Sequence, residues 1–178
     1  MIGTTPAVFL DRDGVLVRSE MREGKAFAVR SVDAFRLLPG SADSVRRLKA
    51  AGYLVVVVTN QPDIGNGLIA ADVVEAMHTL LRRRTAVDDI RCCPHAQNVG
   101  CNCRKPRPGM LLQAAQTLNI DLARSWMVGD RSSDVTAGHA AGCRTIFINR
   151  GYREAPPSSA DATVRTLPAA VSFILGNS

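Results

Sequence analysis

Largely apolar runs alternate along the chain with amphipathic stretches, a pattern typical of an α/β fold. The runs over residues 7–10 and 53–59 predict strands buried on both faces of a sheet, and further strands are predicted over 88–93, 125–130, 144–149 and 163–167. Apolar positions at helical spacing predict helices over 41–51, 70–84 and 110–118, from 132 to 141 and from 168 onward. Because strands and helices alternate, we expect a parallel sheet with helices on both faces, formed as a single domain over residues 1–178.

One stretch, residues 18–38, does not follow this alternation. Polar residues lead it and scattered apolar residues follow. We therefore expect a loop over the edge of the sheet that contains a short strand or a hairpin.

The composition excludes several classes of protein. Hydrophobic residues make up 46% of the chain, yet no apolar stretch is long enough to span a bilayer. The N-terminus lacks the basic-then-apolar layout of a signal peptide, so we expect a cytoplasmic protein with no membrane partner. The net charge of +6 raises the question of nucleic-acid binding, but only 4% of residues are aromatic and the basic residues are scattered. We expect a monomer with a small anionic ligand, and no nucleic acid.

Acidic and hydroxyl side chains follow three predicted strands at their carboxyl ends. Asp11 and Asp13 follow the first strand, Thr59 ends the second, and Asp130 ends the fourth. Since the carboxyl ends of parallel strands share one edge of a sheet, these groups should converge there. Two carboxylates so close repel each other unless a cation or a shared proton intervenes, and Mg²⁺ prefers such oxygen ligands. With Lys105 as a fixed cation, the set fits Mg²⁺-assisted phosphoryl transfer.

Four of the five cysteines crowd into residues 92–103, around one histidine. In a cytosolic chain such a cluster indicates metal binding rather than disulfides. Cys93, His95, Cys101 and Cys103 make a complete tetrahedral Zn²⁺ set, although Cys92 could replace Cys93. A closed set of four ligands predicts a structural zinc site that shapes its loop and presents the basic residues that follow.

The motifs occur in the order found in the haloacid dehalogenase superfamily of phosphatases, which the sequence resembles over nearly its whole length. The resemblance rests on Asp11-Arg12-Asp13-Gly14, Thr59-Asn60-Gln61, Lys105 and Gly129-Asp130-x-x-x-Asp134. It implies a Rossmann-like fold, a Mg²⁺ cofactor and a small phosphorylated substrate. The intervals between the motifs leave no room for a large cap domain, so segment 18–25, the 61–67 loop and the zinc loop should supply specificity.

The resemblance also implies catalytic roles for four residues. Asp11 is the expected nucleophile, which forms an aspartyl-phosphate. Asp13 is the expected general acid, which protonates the leaving oxygen and then, as a base, activates water. Thr59 and Lys105 are expected to hold the phosphoryl group.

The expected Mg²⁺ ligands come from the same resemblance. They are the carboxylates of Asp11 and Asp130 and the backbone carbonyl of Asp13. Asp134 occupies the second acidic position of the last motif, where it either binds the metal through water or orients Lys105.

The zinc loop narrows the resemblance to two groups of phosphatases. Because the family loop reads Cys-Pro-His, the resemblance favours Cys93 over Cys92 as the ligand. The following Cys-Arg-Lys-Pro is similar to phosphatases of heptose 1,7-bisphosphate, which remove the 7-phosphate, and of histidinol phosphate. Residues 104–112 favour the heptose type, whereas the short zinc loop and segment 18–38 leave the histidinol type open.

A second set of residues is expected to contact the substrate. It consists of Arg12, Asn60, Gln61, Arg104 and Arg131. A bisphosphate needs cations for its second phosphate, and arginine suits that purpose. The amine of histidinol phosphate would instead need an acid, for which Glu20 and Glu23 are available.

Three further polar residues are interpreted without a functional role. His78 and His139 fall on predicted helices and are expected to be structural, and Arg107 is expected to be a solvated surface charge.

Three other classes of protein are compatible with parts of the pattern. A receiver domain also carries a phosphate-accepting aspartate on a parallel sheet, but it predicts neither a second aspartate two residues later nor a zinc loop. A non-catalytic binding module is disfavoured because every catalytic position is filled. A nucleic-acid end-processing phosphatase fits the charge but not the scarcity of aromatic residues for base stacking.

Overall fold

The computed structural model describes residues 4–177, and its core is a six-stranded sheet with helices on both faces. The strands are β1 (Ala7–Leu10), β2 (Glu20–Arg22), β3 (Lys25–Phe27), β4 (Leu54–Asn60), β5 (Asp89–Cys93), β6 (Trp126–Gly129), β7 (Arg144–Ile148) and β8 (Ala162–Val164). The helices are α1 (Ser41–Ala50), α2 (Pro62–Gly65), α3 (Ala71–Thr85), α4 (Gly109–Leu118), α5 (Ser132–Ala141) and α6 (Leu167–Gly176), with a 3₁₀ turn over Leu122–Arg124.

The main sheet is parallel, in the order β5-β4-β1-β6-β7-β8. Its strand order reverses at β1, because β4 lies on one side of that strand and β6 on the other. Leu10, the last residue of β1, pairs with Val57 of β4 and with Val128 of β6. A crevice therefore opens beyond the carboxyl ends of these three strands, where α/β folds bind their ligands.

Alternate residues of the strands contribute to two hydrophobic cores. Val8 and Leu10 belong to a core that includes buried residues of α1, α3 and α6. Ala7 and Phe9 belong to a second core that includes buried residues of α4 and α5. Burial on both faces explains why β1 and most of β4 are continuous apolar runs, and these two strands give the crevice a rigid base.

The predicted α/β fold with a parallel sheet is confirmed, and most element ends agree within one or two residues. The last strand, predicted over 163–167, ends at Val164 because Thr166 instead caps α6, where its hydroxyl accepts a hydrogen bond from the N–H of Ala169. The short helix α2 lies where the sequence predicts a loop, with Pro62 in its first turn.

The region 18–38 forms the antiparallel hairpin β2–β3 followed by chain without regular secondary structure. Between Asp11 and Asn60, the structure contains this hairpin and α1 but no inserted cap domain. Among residues 4–177, none of the helices has the length and apolar character needed to cross a bilayer.

Candidate active site

A tight turn after β1 places the side chains of Asp11 and Asp13 at the crevice. Asp11 follows β1 directly, and Gly14 has a φ of 85°, in the left-handed region that favours glycine. A Cβ at Gly14 would overlap the Oδ2 atom of Asp130. The turn therefore requires glycine both for its backbone and for the close approach of Asp130.

Three carboxylates meet at this point. Each of Asp11, Asp130 and Asp134 offers an oxygen within 4.8 Å of the other two, and all three residues are buried. Burial raises the pKa of Asp11 to about 6, with Lys105 opposing the shift and the charges of Asp134 and Asp13 adding to it. Burial and the charges of Asp11 and Asp134 likewise hold the pKa of Asp130 well above its usual value. The cluster is short of positive charge.

Lys105 supplies one positive charge to the carboxylates. Its Nζ lies 2.9 Å from Oδ1 of Asp11 and 2.7 Å from Oδ1 of Asp134, and it donates a hydrogen bond to the carbonyl of Val58 at 2.8 Å. Burial alone would lower the pKa of Lys105, but the charges of Asp11 and Asp134 outweigh burial and raise it. The ammonium is therefore charged and fixed at the end of β4. Of the two roles expected for Asp134, this geometry fits the one in which it orients Lys105.

The charge balance and the donor set fit a divalent cation. If all three carboxylates are ionised, the one ammonium leaves two negative charges uncompensated, and this repulsion contributes to the raised pKa values of Asp11 and Asp130. The Oδ1 atom of Asp130 is buried and has no hydrogen-bond partner among the described residues. Carboxylate oxygens are the ligands that Mg²⁺ prefers, and the residues present fit this ion.

The last residues of β4 and the residue that follows it form hydrogen bonds within the site. Thr59 is buried, and its hydroxyl accepts a hydrogen bond from Nε2 of Gln61 at 2.9 Å. The same Gln61 nitrogen donates to Oδ2 of Asp13 at 2.8 Å. The side chain of Asn60 donates to the backbone carbonyl of Lys105 at 3.0 Å and accepts from its N–H at 3.1 Å. Both amides line the crevice, yet each is also engaged with a neighbouring site residue.

Arg12 does not line the crevice, contrary to its expected role in substrate binding. Its side chain is fully buried. It turns behind Asp13, where Nε and Nη2 donate to the two carboxylate oxygens at 2.9 and 3.2 Å. The third nitrogen, Nη1, lies 3.2 Å from Nε2 of His78. Arg12 therefore points behind Asp13 and is not among the residues that line the crevice.

The cysteine loop brings four ligand atoms together. The Cys93 sulfur lies 3.5 Å from both the Cys101 sulfur and Nδ1 of His95, and that nitrogen lies 3.2 Å from the Cys103 sulfur. A tetrahedral zinc ion with ordinary bond lengths holds its ligands about 3.5–3.8 Å apart. The four residues therefore fit Zn²⁺, and Cys92 lies outside the cluster.

Arg107 has a role that the sequence interpretation missed. The side chain is exposed, but Nη1 donates to the backbone carbonyls of Gly100 and Cys101, the latter at 2.8 Å. Arg107 is therefore the exposed surface charge that the sequence predicts, and in addition it supports the cysteine loop.

An open pocket of about 550 Å³ leads from solvent to Asp11 and Asp13. Its basic lining residues are Lys25, Arg104, Lys105 and Arg131. The Nη1 atom of Arg104 is buried and has no hydrogen-bond partner among the described residues. Arg131 donates to the backbone carbonyl of Ala26 in the hairpin and lies 3.7 Å from Glu154. The pocket is therefore suited to a ligand with more than one negative group.

Two residues of the site have no signal in the sequence. Tyr152 lies in a Pro- and Ser-rich loop, yet its hydroxyl donates to Oδ2 of Asp130 at 2.8 Å. Lys25 belongs to β3 in the region without clear periodicity, and it lines the pocket. Both depend on contacts between segments far apart in the chain.

Comparisons with known proteins agree with this geometry. A family model described as HAD-hydrolase-like matches residues 102–170. The D-glycero-β-D-manno-heptose-1,7-bisphosphate 7-phosphatase of Rhodopseudomonas palustris is 40% identical over 149 residues, covering 77% of this chain and 79% of the relative. The protein of that name from Escherichia coli K12 is 36% identical over 174 residues, covering 91% and 88%.

Solved structures lead to the same group. The crystal structure of D,D-heptose 1,7-bisphosphate phosphatase from B. bronchiseptica, complexed with magnesium and phosphate, superposes with a TM-score of 0.83 at 32% identity, over 97% of this chain and 99% of the other. The corresponding phosphatase from Burkholderia thailandensis gives a TM-score of 0.66 at 30% identity, over 96% and 98%. This chain therefore belongs to the D-glycero-β-D-manno-heptose-1,7-bisphosphate 7-phosphatase family of the haloacid dehalogenase superfamily.

Proposed function

We propose that this chain is a Mg²⁺-dependent phosphatase that removes the 7-phosphate from D-glycero-D-manno-heptose 1,7-bisphosphate. The observation that carries the proposal is the buried carboxylate of Asp11, held 2.9 Å from the Lys105 ammonium at the base of an open, basic pocket. The names of relatives at 36–41% identity support this choice of substrate.

The reaction takes place in two displacements at phosphorus. An oxygen of Asp11 forms a bond to phosphorus while the bond to the 7-oxygen of the sugar breaks, and Asp13 gives that oxygen its proton. Asp13 then takes a proton from water, whose oxygen bonds to phosphorus as the bond to Asp11 breaks. Inorganic phosphate leaves, and both acids return to their starting states.

The surrounding residues stabilise the charge on the transferring group. Lys105 provides a fixed positive charge, and the Thr59 hydroxyl provides a hydrogen-bond donor at the end of β4. Asp11, Asp130 and the backbone carbonyl of Asp13 would hold Mg²⁺, with Asp134 holding Lys105 in place. The bound ion would neutralise phosphoryl oxygens and align them with the nucleophile.

The second phosphate of the substrate requires its own cation. The unpaired nitrogen of Arg104 lies beside Lys105 in sequence and is buried at the pocket wall, where a phosphate oxygen would satisfy it. Arg131 and Lys25 add positive charge on the hairpin side of the pocket. The acids expected for a histidinol substrate are less well placed, because Glu20 pairs with Arg22 and is not among the pocket-lining residues.

The zinc ion that we propose for the cysteine loop has a structural role. Its four ligands are all protein atoms, so no position remains for substrate or water. The loop that it closes leads directly into Arg104 and Lys105. We further propose that the chain is one domain and a cytoplasmic monomer, and that it supplies nucleotide-heptose synthesis.

The test is phosphate release with Mg²⁺ from heptose 1,7-bisphosphate and from histidinol phosphate, compared as kcat/KM. We expect a large preference for the heptose, with Asp11→Asn inactive and Arg104→Met losing activity on the bisphosphate more than on a monophosphate sugar. A preference for histidinol phosphate would overturn the substrate assignment. Equal activity of wild type and Asp11→Asn would overturn the mechanism.

A further inference from the structure

A buried series of polar side chains extends behind Asp13, away from the pocket. Nε and Nη2 of Arg12 donate hydrogen bonds to the two carboxylate oxygens of Asp13, and Nη1 contacts His78. His78 lies on α3 and is 3% exposed. The acid/base residue is thus held by a partner whose own position depends on a side chain from a remote helix.

The hydrogen-bond direction fixes the state of the imidazole ring. A guanidinium donates hydrogen bonds and accepts none, so Nε2 of His78 must be the acceptor. The ring proton then sits on Nδ1, which lies 3.5 Å from Oε2 of Glu75. Burial, and then the charge of Arg12, lower the pKa of His78 to about 4. The neutral ring that Arg12 requires is therefore the form present at neutral pH.

Without this acceptor, the guanidinium would lose its fixed orientation. A buried N–H group that loses its partner is costly, so Arg12 would shift to find another acceptor. The two-point contact with Asp13 depends on the angle of the guanidinium plane, and any shift breaks one of its two bonds. The hydrogen bond from Gln61 to Oδ2 of Asp13 would remain, but it holds only one of the two carboxylate oxygens.

We infer that His78 is a positioning residue for Asp13, and that it acts through Arg12 to orient the carboxyl group that exchanges the proton. The inference rests on the proposed function, since it requires Asp13 to act as acid and base. His78 itself is not among the residues that line the pocket. His78, which the sequence predicts to be structural, thus contributes to the reaction by positioning Asp13.

The leaving group offers a readout that a structural role would not give. A sugar alkoxide needs a proton as it leaves, whereas p-nitrophenolate leaves readily without one. The ratio kcat/KM reports the steps up to formation of the phosphoenzyme, in which the leaving group departs. A disoriented Asp13 should therefore harm the sugar phosphate far more than p-nitrophenyl phosphate.

Three variants on the same helix make the experiment specific. His78→Leu removes the acceptor, and His78→Gln restores one near the position of Nε2. Thr85→Val removes another buried hydrogen bond of α3, from the hydroxyl to the carbonyl of Leu81, without touching the series. We expect kcat/KM for heptose bisphosphate to fall about tenfold or more in His78→Leu, with a much smaller fall for p-nitrophenyl phosphate. His78→Gln should recover most of the loss, and Thr85→Val should behave as wild type.

A second measurement combines His78→Leu with Asp13→Asn and uses heptose bisphosphate alone. If His78 acts only through Asp13, its removal should have no further effect in the Asp13→Asn background. Equal losses on both leaving groups, or effects that simply add in the double variant, would overturn the inference. The proposed function fails separately, namely if Asp13→Asn itself leaves phosphate release from heptose bisphosphate unchanged.

Discussion

Replacing Lys105 by methionine removes the cation of the carboxylate cluster while keeping an unbranched side chain that is only one heavy atom shorter. Lys105 is 3% exposed and lies within 2.9 Å of both Asp11 and Asp134. After the substitution, three buried carboxylates would face one another without compensation, and the Val58 carbonyl would lose its donor. The variant should therefore be less stable as well as inactive.

The cost is set by desolvation of the charges that remain. Removing one partner of a buried ion pair typically costs about 3–5 kcal/mol, and we expect Lys105→Met to reduce the free energy of unfolding by that amount at neutral pH. The loss of a fixed charge at the transferring group should reduce kcat about 100- to 1,000-fold. Saturating Mg²⁺ should restore part of the stability, because the ion brings positive charge to the same carboxylates.

Urea unfolding in Mg²⁺-free buffer measures this cost, and omitting a chelator avoids disturbing the proposed zinc site. The matched control is Lys49→Met, which removes an exposed lysine 2.7 Å from Asp88. An exposed pair of this kind contributes at most about 1 kcal/mol. If the two variants lose the same stability, or if Mg²⁺ stabilises Lys105→Met no more than wild type, the reasoning about uncompensated charge is refuted.

Three further predictions concern the groups around the catalytic centre. Tyr152→Phe removes the hydrogen bond that holds Asp130, and it should weaken Mg²⁺ or Mn²⁺ binding about tenfold, as measured by calorimetry. Cys101→Ser should reduce the zinc content and lower the melting temperature, as measured by elemental analysis and thermal unfolding. His78→Gln should remove a pH dependence of stability. In the wild type the ring stays neutral down to about pH 4 while the unfolded chain takes up its proton below about 6.5, so stability falls by up to about 3 kcal/mol as the pH falls between these values.

Each of these predictions has a control in the chain. Tyr53→Phe changes the other tyrosine and should leave metal affinity intact, and equal weakening in both variants would contradict the role of Tyr152. Cys92→Ser should retain zinc, and its loss there would make Cys92 a ligand. Thr85→Val should keep the wild-type pH profile, whereas a wild-type profile in His78→Gln would show that the ring is not held neutral by its surroundings.

The fold could be predicted because a strand that is buried on both faces requires a continuous run of apolar residues. The strand predicted over 53–59 is apolar as far as Val58, since residues 55–58 are fully buried between two layers of helices. The short helix α2 could not be predicted, because four residues give no periodicity. The end of β8 could not be predicted either, since it depends on whether Thr166 extends a strand or caps a helix.

The site residues that could be predicted from the sequence are those at the carboxyl ends of strands. Asp11 and Asp130 directly follow buried strands, Thr59 lies near the carboxyl end of another, and the topology of a parallel sheet brings such positions to one edge. The direction of a side chain is a different matter. Arg12 lies between two site residues, yet it points behind the site because His78, far along the chain, offers a buried acceptor. Such contacts are set by packing between elements, and local sequence patterns do not reveal them.

The central claim is that Asp11 accepts the 7-phosphate covalently. The most direct measurement is a rapid acid quench of the wild-type enzyme during turnover of heptose 1,7-bisphosphate that carries a radiolabel in the 7-phosphate, followed by peptide mapping. We expect label on the peptide that contains Asp11, none with substrate labelled at the 1-phosphate, and none in Asp11→Asn. Turnover without label on Asp11, or label from the 1-phosphate, would contradict it.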